Sequence, residues 1–192
     1  MPRPKTVSDE HVLAAARRLF LQDGAAASTR EIAKAAGISE AVIFQRFGTK
    51  DDLFFAAMTP PAPDLDAVFD VRPGRGRVRA NLERITLRIL GHFRQAIPVV
   101  LPLITHPAFD AKRFLKGHGL PAIQIRERLA AYLSQEAEAG RVAKGRTSAA
   151  ADLLISHLHN HALMETVGGT ADGSSDRVVA EAVAVLWEGL AP

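Results

Sequence analysis

The chain contains no cysteine. That excludes a disulfide scaffold and a thiolate metal site, and it suits a reducing cytosol, so a cytoplasmic protein is expected. Long apolar runs are also missing. The longest, "IPVVLPLI" at 97–104, has eight residues and includes two prolines. A membrane helix needs roughly 20 apolar residues, so no membrane partner is expected. The N-terminal "MPRPKTVSDEH" carries charge with no apolar segment behind it, so no signal peptide is expected. Period-two alternation of useful length, internal repeats and low-complexity tracts are all absent, which argues against a sheet, a solenoid or a disordered chain.

What is present is apolar side chains at helical spacing. The chain has 192 residues, 47% of them hydrophobic, ample for a packed core. The net charge of +3 is unevenly placed. Residues 1–50 hold eight basic against five acidic side chains, and the remaining sixteen of each sign cancel. A basic excess confined to the first quarter points to an anionic partner.

The first sixty residues punctuate themselves. Ser8 opens a helix as N-cap, with Asp9 and Glu10 at the positive end of its dipole. Val12, Leu13, Ala16, Leu19 and Phe20 form its apolar stripe, and Gly24 ends it. Ser28 or Thr29 opens "TREIAKAAG", which Gly37 stops. Ser39 caps "EAVIFQRF", which Gly48 stops. Thr49 caps a fourth helix with Asp51 and Asp52 in its first turn, and Pro60-Pro61 end that one. Helices two and three are separated only by Gly37-Ile38-Ser39, the layout of a helix-turn-helix.

Residues 59–76 are rich in Pro, Gly and Asp and read as a connection, with a turn of helix at "DLDAVFDV". Helical periodicity resumes from Arg77 to about Ala96. Pro98, Pro102 and Pro107 are expected to break the next stretch into short pieces. Three helices are then predicted: from Pro121 to a stop at Gly140, from Ser148 to Val167, and over "DRVVAEAVAVLWEGL". The fold class is all-α: a three-helix helix-turn-helix domain over residues 1–58, and a second helical domain over 59–192.

The segment "TREIAKAAGISEAVIFQRFGTKDDLF" resembles the DNA-binding domain of the tetracycline-repressor (TetR) family of bacterial transcriptional regulators. The matching parts are Thr29, Ile32-Ala33, Gly37-Ile38-Ser39, Ile43-Phe44-Gln45-Arg46-Phe47 and Lys50, in the family's order and spacing. The resemblance implies a DNA-binding role for the domain over residues 1–58 and a regulatory one, ligand-binding and dimerisation, for the domain over 59–192. It covers about residues 8–58 and departs at three places. Phe44 stands where the family has Tyr, Arg46 where it has His, and Glu40 where a basic or small residue is common. These departures suggest an altered operator. Ile43, Phe47, Leu53 and Phe54 are expected to be core. Thr29, Arg30, Ser39, Glu40, Phe44, Gln45, Arg46 and Lys50 are the candidate DNA contacts. Gln45 suits adenine, Arg46 suits guanine or a phosphate, and Glu40 can accept from a cytosine amine. Phe44 either packs in the core or meets a thymine methyl. Thr29 at a helix start suits a phosphate. Arg3 and Lys5 lie on an arm that could reach the neighbouring groove.

Helix-turn-helix proteins usually bind two half-sites as dimers. A homodimer on a palindromic double-stranded operator is therefore expected, and the resemblance places the dimer contact on the last two helices. Leu154, Leu158, Ala182, Val185, Leu186 and Trp187 are the interface candidates. The resemblance also implies a pocket for a small-molecule effector, for which Phe93, Ile97, Leu101, Phe109, Phe114, Ile125, Leu129 and Met164 are candidates. His157 and His161 lie four apart, with Glu165 continuing the face, a spacing that can hold a divalent metal. With no cysteine and no His-Glu-x-x-His pattern, no metal and no cofactor are expected. The run Arg72, Arg75, Arg77, Arg79, Arg84 and Arg88 reads as a solvated rim. "GRGRVR" lacks the later glycine and the Lys-Ser/Thr of a phosphate loop. The leading function is a ligand-responsive repressor, not an enzyme. The alternatives are a helical protein-interaction module without DNA binding, and a small helical enzyme with a His157/His161 site.

Overall fold

The computed structural model describes residues 7–60, 62–118, 121–169 and 174–191. Arg3 and Lys5 lie outside them. The described residues form α-helices with one 3-10 turn at Gly24–Ala26, and no strand occurs among them. In chain order the helices are α1 Asp9–Asp23, α2 Thr29–Ala36, α3 Glu40–Phe47, α4 Lys50–Met58, α5 Leu65–Val68, α6 Val78–Ile104, α7 Ala111–His118, α8 Pro121–Glu138, α9 Thr147–Thr166 and α10 Ser175–Leu190. They fall into two compact units. One is Met1–Pro61 with Pro98–Phe114, and the other is Ala62–Ile97 with Leu115–Pro192.

In the first unit the chain ends its helices where the local signals said it would. Ser8 accepts a hydrogen bond from the His11 amide, and Ser39 accepts one from Val42. Thr49 and Asp52 form a reciprocal capping box, each side chain accepting from the other residue's amide at 3.1 Å. Both bonds satisfy amides that a helix start otherwise leaves without partners. Gly37 takes a left-handed conformation with φ 70°. Its amide donates to Lys34, and the Ile38 amide reaches back to Ala33, the double closure of a Schellman motif. A Cβ at position 37 would be strained there.

One apolar core holds these helices. Val12, Ala16, Phe20, Ile32, Ile43, Leu53, Phe54, Ala57 and Met58 are all buried in it. Phe20 of α1 meets Phe54 of α4 edge to face at 5.0 Å between ring centres. Arg17, off the apolar stripe of α1, caps the far end of α4. Its Nε donates to the Ala57 carbonyl at 2.6 Å and its Nη2 to Thr59 at 3.0 Å.

The prolines behave otherwise than their usual effect predicts. α6 runs for 27 residues straight through Pro98 and Pro102. Each proline removes a helical donor and costs about 3 kcal/mol in an isolated helix. Burial of Val99 and Leu103 in the first unit's core offsets that loss, because each buried side chain is worth roughly 1.5–3 kcal/mol. α7 also went unforeseen in this stretch. By length and composition α6 could span a membrane, but Leu82, Ile85, Ile89, Leu90 and Leu103 on it are buried within the protein.

In the second unit, α8 packs along α9, and α9 against α10. Ile125, Leu129 and Leu133 of α8, Leu154 and Leu158 of α9, and Val179 and Val183 of α10 are all buried. Three members of the arginine run form ion pairs at the surface. Asp70 pairs with Arg84 and Arg88, and Arg79 with Glu83. The glycine-rich loop beside them is tied to α8. Glu136, fully buried, accepts from the Gly74 amide at 3.3 Å and has Arg141 Nε 3.0 Å away. Arg141 Nη2 donates to the Gly76 carbonyl at 2.6 Å. Asn81 donates to the Arg75 carbonyl and to the Tyr132 hydroxyl. Burial beside this network pushes the Tyr132 phenol up to about 12, because the phenolate would lose its water.

Candidate nucleic-acid interface

The turn Gly37-Ile38-Ser39 sets α3 on the core through Ile43 and partly buried Phe47. Ser39, exposed, uses its hydroxyl to cap α3. The opposite face of α3 is open. Ala41, Phe44 and Gln45 are exposed, and Phe44 keeps 43% of its surface. Residues spaced i, i+3 and i+4 share one side of a helix, so these three form a single stripe. Phe44 therefore stands at the surface and not in the core.

Besides Ser39, three of the expected DNA contacts, Thr29, Glu40 and Arg46, have side-chain hydrogen bonds within the protein. Glu40 accepts a short hydrogen bond from the Thr29 hydroxyl, which links the start of α3 to the start of α2. Arg46 turns toward the N-terminus. Its Nη1 donates to the Val7 carbonyl at 2.6 Å and to Asp9 at 3.2 Å. Its side chain is only 24% exposed. Both side chains thus hold the starts of neighbouring helices in place through these bonds. Sequence spacing could not show this, because Val7 lies 39 residues from Arg46.

Arg30 is exposed in the first turn of α2 and Lys50 half-exposed in the first turn of α4, and neither has an ion-pair partner among the described residues. Side-chain cations at two helix starts, beside outward-facing amides, suit phosphate groups. Behind α4, the Pro98–Phe114 segment completes the unit. His106 stacks on Phe54 at 4.6 Å, meets Phe55 edge-on, and lies 3.8 Å from Asp51. Phe109 and Phe114 pack against the same core. Leu101, Phe109 and Phe114, three of the expected effector-pocket residues, belong to this first unit.

Of the other pocket candidates, Phe93, Ile97, Ile125 and Leu129 are buried in the second unit and Met164 is exposed. His159 meets Phe93 edge-on at 5.5 Å. Arg94 grips Glu165 with two hydrogen bonds, at 2.5 and 2.7 Å, and also reaches Ser175. That pairing holds the Glu165 carboxyl below its usual range. His161 lies 3.2 Å from the same carboxylate. The group that would complete a metal set with His157 and His161 is thereby committed to a guanidinium. A cleft of about 780 Å³ elsewhere in the unit is lined by Arg77, Arg79, Glu83, Arg141 and Trp187. Phe69, Arg128 and Tyr132 border a smaller one of about 280 Å³. Neither includes an expected pocket residue.

Of the interface candidates, Leu154 and Leu158 are buried inside the protein, while Ala182, Leu186 and Trp187 are partly buried. Val185 is 75% exposed, and so is Leu153 at 59%, which the sequence reading passed over. The faces that helical periodicity alone could not tell apart are separated by burial.

A capped helix pair joined by a Schellman turn, with an open polar-apolar stripe on the second helix and cations at flanking helix starts, defines a helix-turn-helix domain of the DNA-binding type. Residues 12–57 match the family described as bacterial regulatory proteins, tetR family. The full chain resembles solved structures of such regulators. A Mesorhizobium loti MAFF303099 protein assigned to the TetR family of transcriptional regulators shares 18% identity, with 96% of each chain covered and a TM-score of 0.73. A transcriptional regulator of Rhodococcus sp. RHA1 shares 21%, covering 95% of this chain and 97% of its own, with a TM-score of 0.69. NalD, the secondary repressor of the MexAB-OprM multidrug efflux pump in Pseudomonas aeruginosa, shares 16%, covering 95% and 94%, at 0.62. No curated protein matches the chain. Residues 12–57 thus match the TetR family, and the whole chain shares the fold of the solved regulators of that family.

Proposed function

We propose that the protein is a transcriptional repressor that binds a palindromic operator as a homodimer and is released by a small-molecule effector. The observation that carries this reading is the open face of α3. Ala41, Phe44 and Gln45 stand free on a helix clamped from behind by Ile43. Arg30 and Lys50 supply phosphate contacts to either side, and Thr29 and Ser39 shape the helix starts that face the backbone. NalD, a neighbour in fold, is a repressor, which favours repression over activation here.

Dimerisation uses α9 and α10, through the exposed apolar side chains Leu153 and Val185 with Leu186 and Trp187 beside them. A two-fold interface of this kind matches a two-fold operator. The effector binds in the second unit, among Phe93, Ile97, Ile125, Leu129 and Met164. Its differential affinity for two arrangements of the dimer shifts operator binding.

The test is capture of fragments of the source genome by purified protein at two salt concentrations, with Gln45→Ala alongside. Selective retention of a palindromic site, weakened by salt and lost in the variant, is the expected result. Retention that ignores salt, or no selective site at either salt, would refute the reading.

A further inference from the structure

We infer that the operator half-site is read at adjacent A·T pairs, through thymine methyls and an adenine edge, and that α3 makes no guanine or cytosine contact. This rests on the DNA-binding reading above and sharpens it. Base edges in the major groove are matched by a small set of side chains. Arg and Lys read guanine, Glu and Asp accept from cytosine, Gln and Asn read adenine, and apolar groups meet the thymine methyl.

On α3 the two candidates for G·C pairs are both engaged within the protein, through Glu40 Oε1 and Arg46 Nη1. Glu40 is held by the Thr29 hydroxyl. Arg46 is held by the Val7 carbonyl and Asp9. The side chains left on the open face are Ala41, Phe44 and Gln45, and all three belong to the A·T set. Ala41 and Gln45 are about one helical turn apart, roughly 6 Å along the axis. Successive base pairs are separated by roughly 3.4 Å, so the stripe spans about two of them. Phe44 lies between Ala41 and Gln45 on the same face, where its exposed ring can cover a thymine C5 methyl while Gln45 pairs with N6 and N7 of a neighbouring adenine. Arg30 and Lys50, which have no ion-pair partner among the described residues, sit at helix starts and serve the phosphates, which carry no sequence information.

The experiment is selection of the full-length protein on a random duplex library, followed by replacement of each thymine in the enriched sequence by uracil. Uracil keeps the base pair and removes only the methyl. The expected result is enriched half-sites with adjacent A·T pairs, and at least one thymine whose methyl removal weakens binding about fourfold, the value of one buried methyl group. Phe44→Ala should bind with the same salt dependence and lose that discrimination. Salt-sensitive, selective binding with G·C pairs at the enriched positions, or with every thymine indifferent to uracil, overturns the inference and leaves the DNA-binding reading standing. No enrichment and no salt-sensitive binding would overturn both.

Discussion

Replacing Arg46 by Ala separates a side chain that builds the recognition helix from one that reads DNA. The guanidinium donates to the Val7 carbonyl at 2.6 Å and to Asp9 at 3.2 Å. A hydrogen bond from a charged donor contributes about 1.5–3 kcal/mol when its partners are shielded from water. The Arg46 side chain is 24% exposed, so most of that range applies to the Val7 bond. Asp9 is 64% exposed, and its ion pair adds no more than about 1 kcal/mol. Arg46→Ala should therefore destabilise the protein by roughly 1.5–3 kcal/mol, chiefly through the carbonyl. Asp9→Asn should cost under about 1 kcal/mol. Urea denaturation of the wild type and both variants measures these differences. Operator binding by Arg46→Ala, measured where the variant is fully folded, should lose affinity evenly across sequences and keep its base preference. Unchanged stability with loss of preference at one base pair would refute the reasoning and put the guanidinium on DNA.

Other outcomes follow from the same contacts. Thr49→Ala removes one half of the capping box and should cost about 1 kcal/mol, read as a lowered urea midpoint with an unchanged slope. Val185→Glu places a charge on an exposed apolar face, so the variant should be monomeric by light scattering with its helical circular dichroism intact; a persistent dimer would exclude that face. His92 is held neutral because burial lowers its affinity for a proton relative to the ordinary value of 6.5. The unfolded chain then binds the extra proton first, so stability is full above pH 6.5 and falls as the pH drops toward the folded value. His92→Gln should make the loss of thermal stability between pH 7.5 and 5.5 smaller than in the wild type, and equal losses would refute the burial argument.

What the sequence by itself determined was the set of helices in the first sixty residues and the motif they make. Caps and stops act over three or four residues, so Ser8, Ser39 and Thr49 mark starts, and Gly24, Gly37 and Gly48 mark stops, without knowledge of the rest of the chain. The core stripe of Ile43, Leu53 and Phe54 was legible for the same reason: helical periodicity is a local property. The candidate site was legible only in part. Its position on α3 and the residue types on it could be read, but the state of Glu40 and Arg46 could not. Arg46 finds its acceptor 39 residues away, and only the folded core brings the two together. The tertiary structure likewise decided that α6 continues through Pro98 and Pro102, because the burial that offsets the missing bonds comes from helices far off in the sequence. It also chose Leu154 and Leu158 for the interior and Leu153 and Val185 for the surface. Neighbouring apolar residues on one helix look alike in a sequence, and only packing tells them apart.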